Sequence, residues 1–132
     1  MKNHTPNAFL FKYTLPGDWE VSAGKTNIDN DILSLQIARP NDYWFHVKSM
    51  PGSHVVLHCH DRDETPSADI IKQVAAIAAY HSKARNGGIT AVSQTLAKHV
   101  GKPRGSKPGS VTISKQKIIK VRPAIPTNSE NS

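Results

Sequence analysis

Three stretches of this 132-residue chain carry side chains at spacings that could do chemistry. The first is GKPRGSKPGSV, residues 101–111, which sets three glycines and two prolines around Lys102, Arg104 and Lys107. A loop that cradles a nucleotide triphosphate needs GxxxxGK[ST] between a strand and a helix. Gly101 and Lys107 do not give that spacing, and Pro103 and Pro108 remove two backbone N–H groups that such a cradle would use. Proline instead stiffens the backbone while Gly105 and Gly109 let it turn sharply, so that the three cations can point outward at low entropic cost. Lys98 precedes the loop, and Lys115, Lys117, Lys120 and Arg122 follow it. Together they form a basic stripe suited to a ribose-phosphate backbone, where contacts position rather than specify. The plainer reading is an exposed loop with ordinary surface lysines.

The second stretch is a histidine row. On a regular strand His54, His58 and His60 share one face, a spacing at which a divalent metal can be held, with Asp61 or Asp63 supplying oxygen. A metal-dependent nucleic-acid hydrolase is the corresponding alternative function. Neither CxxC nor HExxH accompanies the row, so no metal is expected, and satisfied or surface histidines are the simpler account. Cys59 should face the other way, into the core. The third stretch places Trp44-Phe45-His46 near Pro51-Gly52-Ser53-His54. Aromatic and imidazole rings beside a basic surface can stack on bases and bond to them. Alternation sends Phe45 away from Trp44 and His46, so at most one of the two large rings is free to stack. Ser53 and Ser93 lie in no GxSxG elbow. No catalytic residue and no cofactor are expected.

The elements that must position these groups are legible in outline. FLFKYTL (9–15) and WEVSAG (19–24) read as a hairpin around Pro16-Gly17-Asp18. A short helix starting near Asn30 or Asp31 should take in Ile32, Leu33 and Leu35. Period-two alternation marks strands at 43–47 and 55–59, joined by the turn at Met50-Pro51-Gly52-Ser53. The long helix is expected over about 67–85, with Ser67 as N-cap, Asp69 in its first turn and Gly87-Gly88 as its stop. Residues 88–93 suggest a strand, 96–100 a strand or helical turn, and 111–115 with 117–123 a closing hairpin around Gln116. The pattern is that of an α+β fold: one compact domain with a mixed, largely antiparallel sheet. Residues 1–7 read as a flexible leader and 124–132 as a disordered tail, leaving 8–123 as the domain.

Charge is placed unevenly. The formal total is +7, but residues 1–69 carry six Lys/Arg against nine Asp/Glu, and residues 70–132 carry eleven against Glu130 alone. Such asymmetry points to a polyanionic partner, nucleic acid ahead of a membrane surface. A single cysteine fits a reducing compartment, and no apolar run approaches membrane-spanning length, so a cytoplasmic protein with no membrane partner is expected.

DYWFHVKSMPGSHVVL resembles the signature of the NFACT RNA-binding domain, a module of fibronectin-binding-like and ribosome quality-control proteins. AAIAAYHSKAR (75–85), TLAKHVGKPRGSKPGSV (95–111) and, more weakly, VSAGKTNIDNDILSLQIARPND (21–42) extend the resemblance over about residues 8–123. In the last of these, the family's Val-Gly-Arg-Asn becomes Ala23-Gly24-Lys25-Thr26-Asn27, and Lys25 keeps the charge without arginine's planar fork. The resemblance implies one cluster of Asn30, Asp31, Asp42, Trp44, His46, Pro51, Gly52, Ser53 and His54, and a second of Lys98, Lys102, Gly105, Lys107 and Gly109. Within the first, Pro51 and Gly52 would hold the turn, and Asp31 or Asp42 would orient His46 or His54. It further implies a non-catalytic, free-standing module for rRNA or tRNA, with the large ribosomal subunit as a candidate partner. The RNA-contacting set would be Lys25, Asn30, Trp44, His46, Ser53, His54, Lys98, Lys102, Arg104, Lys107, Lys115, Lys117 and Lys120. A module that docks on a ribosomal protein, with its charge used only for steering, is the remaining alternative.

Overall fold

The computed structural model describes residues 7–59 and 62–126. Strands β1 (Leu10–Leu15) and β2 (Trp19–Gly24) pair antiparallel, from Leu10 opposite Gly24 to Leu15 opposite Trp19. Their connection closes because Gly17 and Asp18 both take positive φ, 91° and 64°, a region open to glycine and tolerated by aspartate. Helix α1 (Asn27–Ile32) begins earlier than expected, since Thr26 is its cap. The Thr26 hydroxyl accepts from the Asp29 N–H while the Asp29 carboxylate accepts from the Thr26 N–H, a reciprocal box that satisfies two otherwise orphaned donors. The helix runs directly into a π-helical turn, Leu33–Ile37, where the Ala38 N–H reaches back to the Leu33 carbonyl.

Strands β3 (Tyr43–Val47) and β4 (Val55–His58) follow, then helix α2 (Ala68–Tyr80), β5 (Thr90–Leu96), the short β6 (Val100–Gly101) and β7 (Thr112–Ile113), and β8 (Lys117–Val121). Six strands form one sheet in the order β1-β2-β4-β3-β5-β8, every neighbouring pair antiparallel, and β6 pairs with β7 as a separate ribbon. This is the expected α+β domain with one long helix.

Two elements depart from expectation. Helix α2 is capped by Ser67 as read but stops at Tyr80, short of residue 85. The chain leaves the helix because residues 81–83 lie against the turn at 51–53, with the Ser53 N–H bonded to His81 O and the Lys83 N–H to Pro51 O. Nor do β7 and β8 form a closing hairpin with each other. Val111 and Ile113 serve an apolar cluster on one face of the sheet, whereas Ile119 and Val121 serve the core on the other. Lys115, at φ 55°, turns the chain between the two layers.

Both faces of the sheet are therefore covered. On one, α2 packs Ile70, Val74, Ile77 and Ala78 against Tyr13, Leu15, Val21, Phe45, Val55 and Leu57. On the other, the π-helical turn and the β6–β7 ribbon enclose Leu33, Trp44 and Val56. Alternation correctly separated Trp44 from Phe45, and each is buried by a different layer, Phe45 under α2 and Trp44 under the turn and ribbon. The packed chain also runs past residue 123: the Ala124 N–H bonds to Ala76 O, and Ile125 packs on the helix-side core. Residues 1–6 and 127–132 lie outside the described residues.

Leu33 is fully buried at the centre of the smaller cluster. Leu33→Ala should destabilise the domain by about 3 kcal/mol, as buried leucine truncations do, read as a lowered denaturant midpoint with unchanged slope.

Candidate nucleic-acid interface

The loop between β6 and β7 is two successive turns. The Ser106 N–H bonds to Pro103 O and the Ser110 N–H to Lys107 O. Gly105 and Gly109 hold the third position of each at φ +79° and +87°, the pattern of type II turns, in which that position needs a left-handed residue. Pro108 sits ahead of Gly109, where its fixed φ suits the turn. Proline and glycine thus fold this segment rather than loosen it.

Lys102 closes the loop from within. Its ammonium reaches Lys107 O, Ser110 O at 2.9 Å and the Asp31 carboxylate at 3.2 Å, three partners for three N–H bonds. The other oxygen of Asp31 accepts from the Gly109 N–H at 3.0 Å. One carboxylate on α1 thereby ties down both ends of the loop. Lys102 thereby fastens the loop. Arg104, Lys107 and Pro108 remain exposed at its outer edge.

Beneath the loop runs a buried chain of polar groups. Trp44 Nε1–H donates to Ser34 Oγ at 2.8 Å, and Ser34 Oγ lies 2.8 Å from His54 Nδ1. His54 Nε2 lies 3.2 Å from Gly109 O. A carbonyl only accepts, so Nε2 carries the hydrogen, Nδ1 accepts, and the serine hydroxyl points its hydrogen at Nδ1. Direction is thus fixed from the indole to the loop. Burial, and after it the neighbouring His46, hold His54 down to about 4 against the opposing pull of its hydrogen bonds and of Asp31, so its ring is neutral. Its backbone N–H is taken by Asn30 Oδ1 at 3.0 Å. Burial likewise lowers His46, whose half-buried ring stands edge-on to His54.

Several expected RNA contacts are accordingly interior. Trp44, His54 and Asn30 are buried at 1, 2 and 4% exposure, so none presents a surface for stacking or base recognition. Ser53 Oγ donates to Gly24 O. Gly52 does hold its turn as expected: a Cβ there would stand 2.7 Å from the Ser82 Cβ, so only glycine permits the approach of residues 51–53 to 81–83. Pro51 contributes its carbonyl to the same contact. Asp42 is placed against His58. It accepts from the Arg39 and Cys59 N–H groups and lies 3.7 Å from His58 Nδ1. Burial opposes its charge, but the His58 contact and these amides prevail and lower it to about 2.

The histidine row is not a metal site among the described residues, where no three His, Cys, Asp or Glu side chains come together to hold an ion. His54 faces the loop and His58 Nε2 meets Ser22 Oγ at 2.9 Å. His60 and Asp61 lie outside the described residues. Cys59 packs against the helix-side core, as alternation requires, and burial raises its thiol to about 11.

The basic stripe divides between faces. Trp44, His46 and their partners Thr95 and Ser93 share the loop face, and Ile118, opposite Ser93, joins them. Lys120, two residues on, projects on that same side, while Lys117 falls with Ile119 and Val121 on the helix side. Lys98 and Lys115 are exposed beside the ribbon. Lys25 stands just after β2, with its ammonium 4.9 Å from the centre of the Phe11 ring. The residues that sequence reasoning missed are Ser34, whose burial depends on the π-helical turn, and Phe11 and His81, whose stacking joins distant segments.

A small antiparallel α+β domain with a fastened, cation-bearing loop on one covered face defines the class. Residues 8–115 match the family model described as NFACT protein RNA binding domain, and the chain belongs to that family. It is 38% identical over 122 residues to the Rqc2 homolog RqcH of Bacillus subtilis (strain 168), covering 92% of this chain and 21% of that protein. The Rqc2 homolog RqcH of Streptococcus suis (strain 05ZYH33) shows the same identity and coverage. The chain thus spans about a fifth of the length of these relatives. The solved C-terminal part of the fibronectin/fibrinogen-binding protein from Streptococcus suis superposes with a TM-score of 0.81 at 36% identity, over 94% of this chain and 49% of that one.

His54 and His81, the latter lowered to about 4 chiefly by burial, stay neutral when folded, whereas the unfolded chain protonates them near 6.5. The unfolded state therefore binds more protons between about 6.5 and 4, and stability should fall as pH drops through that window. Urea midpoints at pH 7.5, 6 and 4.5 should decline in that order. A flat series would contradict the neutral His54 assignment.

Proposed function

We propose that this chain is a non-catalytic module that grips the phosphate backbone of ribosome-associated RNA, rRNA or tRNA, through the outer edge of the 101–110 loop. Membership in a family of RNA-binding domains supports a general RNA-associated role. The resemblance to RqcH proteins, named as homologs of Rqc2, supports a connection with that protein's setting. The observation that carries the reading is the division of labour in the loop. Lys102 spends its charge on Asp31 and two carbonyls, and Arg104 and Lys107 are left exposed on a backbone already fixed in shape. A phosphate then meets charges whose scaffold loses little conformational entropy on binding. Lys98, Lys115 and Lys120 extend the positive field beside the loop, and the helix-side Lys117 does not belong to this contact surface.

Among the described residues no helix is long and apolar enough to cross a membrane. The absence of a metal-holding cluster among those residues argues against the hydrolase alternative.

Titration of tRNA and of large-subunit rRNA fragments at several salt concentrations tests the reading. Arg104→Glu/Lys107→Glu should weaken both complexes more than tenfold at low salt. It should also flatten the log–log salt dependence by roughly 0.7–0.9 for each phosphate that is no longer neutralised. Unchanged affinity and slope would rule out the loop as the contact surface.

A further inference from the structure

A second basic site adjoins the loop. Between the end of β2, the 51–53 turn and the segment after α2 lies an open depression of about 370 Å³. Three cations line it, Lys25, Lys83 and Arg85, and no carboxylate is among its lining residues. Its wall carries the Phe11 ring. Phe11 stacks on His81 with centroids 4.3 Å apart and planes 19° off parallel, and the Tyr13 hydroxyl lies 2.7 Å from His81 Nε2. A parallel ring at that spacing leaves no room for an ammonium between the two. The Lys25 ammonium, 4.9 Å from the Phe11 centroid, therefore stands over the other face and marks it as open.

The remaining groups are held in place around that face. Arg85 donates from Nε to Tyr80 O at 2.7 Å and lays its guanidinium 4.0 Å over the Tyr80 ring. Lys83 follows a backbone fixed by its N–H bond to Pro51 O. Asn27 lines the depression and also abuts the loop, since a Cβ on Gly109 would come within 2.9 Å of its Oδ1. The depression and the basic loop are therefore neighbours across one side chain.

We propose that this depression receives one unpaired nucleotide of a bound RNA. The base stacks on the open face of Phe11 in place of the Lys25 ammonium, which swings aside to join Lys83 and Arg85 in facing the flanking phosphates. The chemistry is that of single-strand recognition: an aromatic face with a cation-rich rim takes any base, because every base has a π face. A continuous duplex keeps its bases stacked inside and cannot offer one. The inference rests on the RNA-binding reading and adds to it that the strand is locally single.

The test compares two probes, a single-stranded oligoribonucleotide carrying one 2-aminopurine and a blunt duplex of equal length. Phe11→Leu keeps the apolar bulk and removes the ring; Phe11→Tyr keeps the ring. Phe11→Leu should bind the single strand about tenfold more weakly and lose the quenching of 2-aminopurine. Phe11→Tyr should retain both, and neither change should alter duplex binding. Arg104→Glu/Lys107→Glu should weaken both probes. Phe11→Leu binding and quenching the single strand as the parent does would overturn this inference and leave the loop reading intact. A parent chain that retains neither probe would overturn both.

Discussion

Asp31 is the residue on which the shape of the basic surface depends. Its two oxygens hold the Gly109 amide and the Lys102 ammonium, and it is itself carried by a helix of six residues capped at Thr26. So short a helix gains little from its own hydrogen bonds. Tertiary contacts must hold it, among them Leu33 in the cluster with Trp44 and the Asn30 bond to the His54 amide. The loop's conformation is thus set by the core, through a chain of contacts with a defined direction.

The neutral His54 is the second half of that arrangement. Its Nε2 donates to the loop while its Nδ1 accepts the hydrogen of Ser34, whose oxygen in turn accepts from the Trp44 indole. A charged ring at this depth would present a hydrogen to Ser34 instead, turn the serine hydroxyl away and bury an uncompensated cation. Burial excludes that state near neutrality. Satisfaction of every member makes this buried polar chain a specifying feature of the fold rather than a weakness.

Much of the scaffold was legible in local pattern. Period-two alternation located β3 and β4 and separated Trp44 from Phe45, and Ser67 marked the start of α2. Pro108-Gly109 announced a turn by its own conformational limits. What failed to show was whatever depended on a second layer. Whether Trp44 was core or surface stayed open, and His54 read as a contact candidate, because alternation gives the side of a sheet and not what covers it. Lys102 read like its neighbours because its partner lies on α1, far away in sequence. Ser34 carried no signal, since its inward aim comes from one extra residue in a helical turn. Lys117 and Lys120 seemed alike until the register of β8 on β5 assigned them opposite faces.

Removal of the Asp31 carboxylate separates shape from charge, because the two predict opposite signs. Asp31→Ala deletes a negative charge beside the proposed polyanion site and frees Lys102, so electrostatics alone would tighten RNA binding. If the fastened loop is what RNA recognises, Asp31→Ala should bind tRNA or rRNA fragments more weakly at matched salt. The amides of 102–110 should exchange with solvent faster in the same variant. Equal or tighter binding together with faster loop exchange would show that the loop's fixed shape is not what holds the RNA.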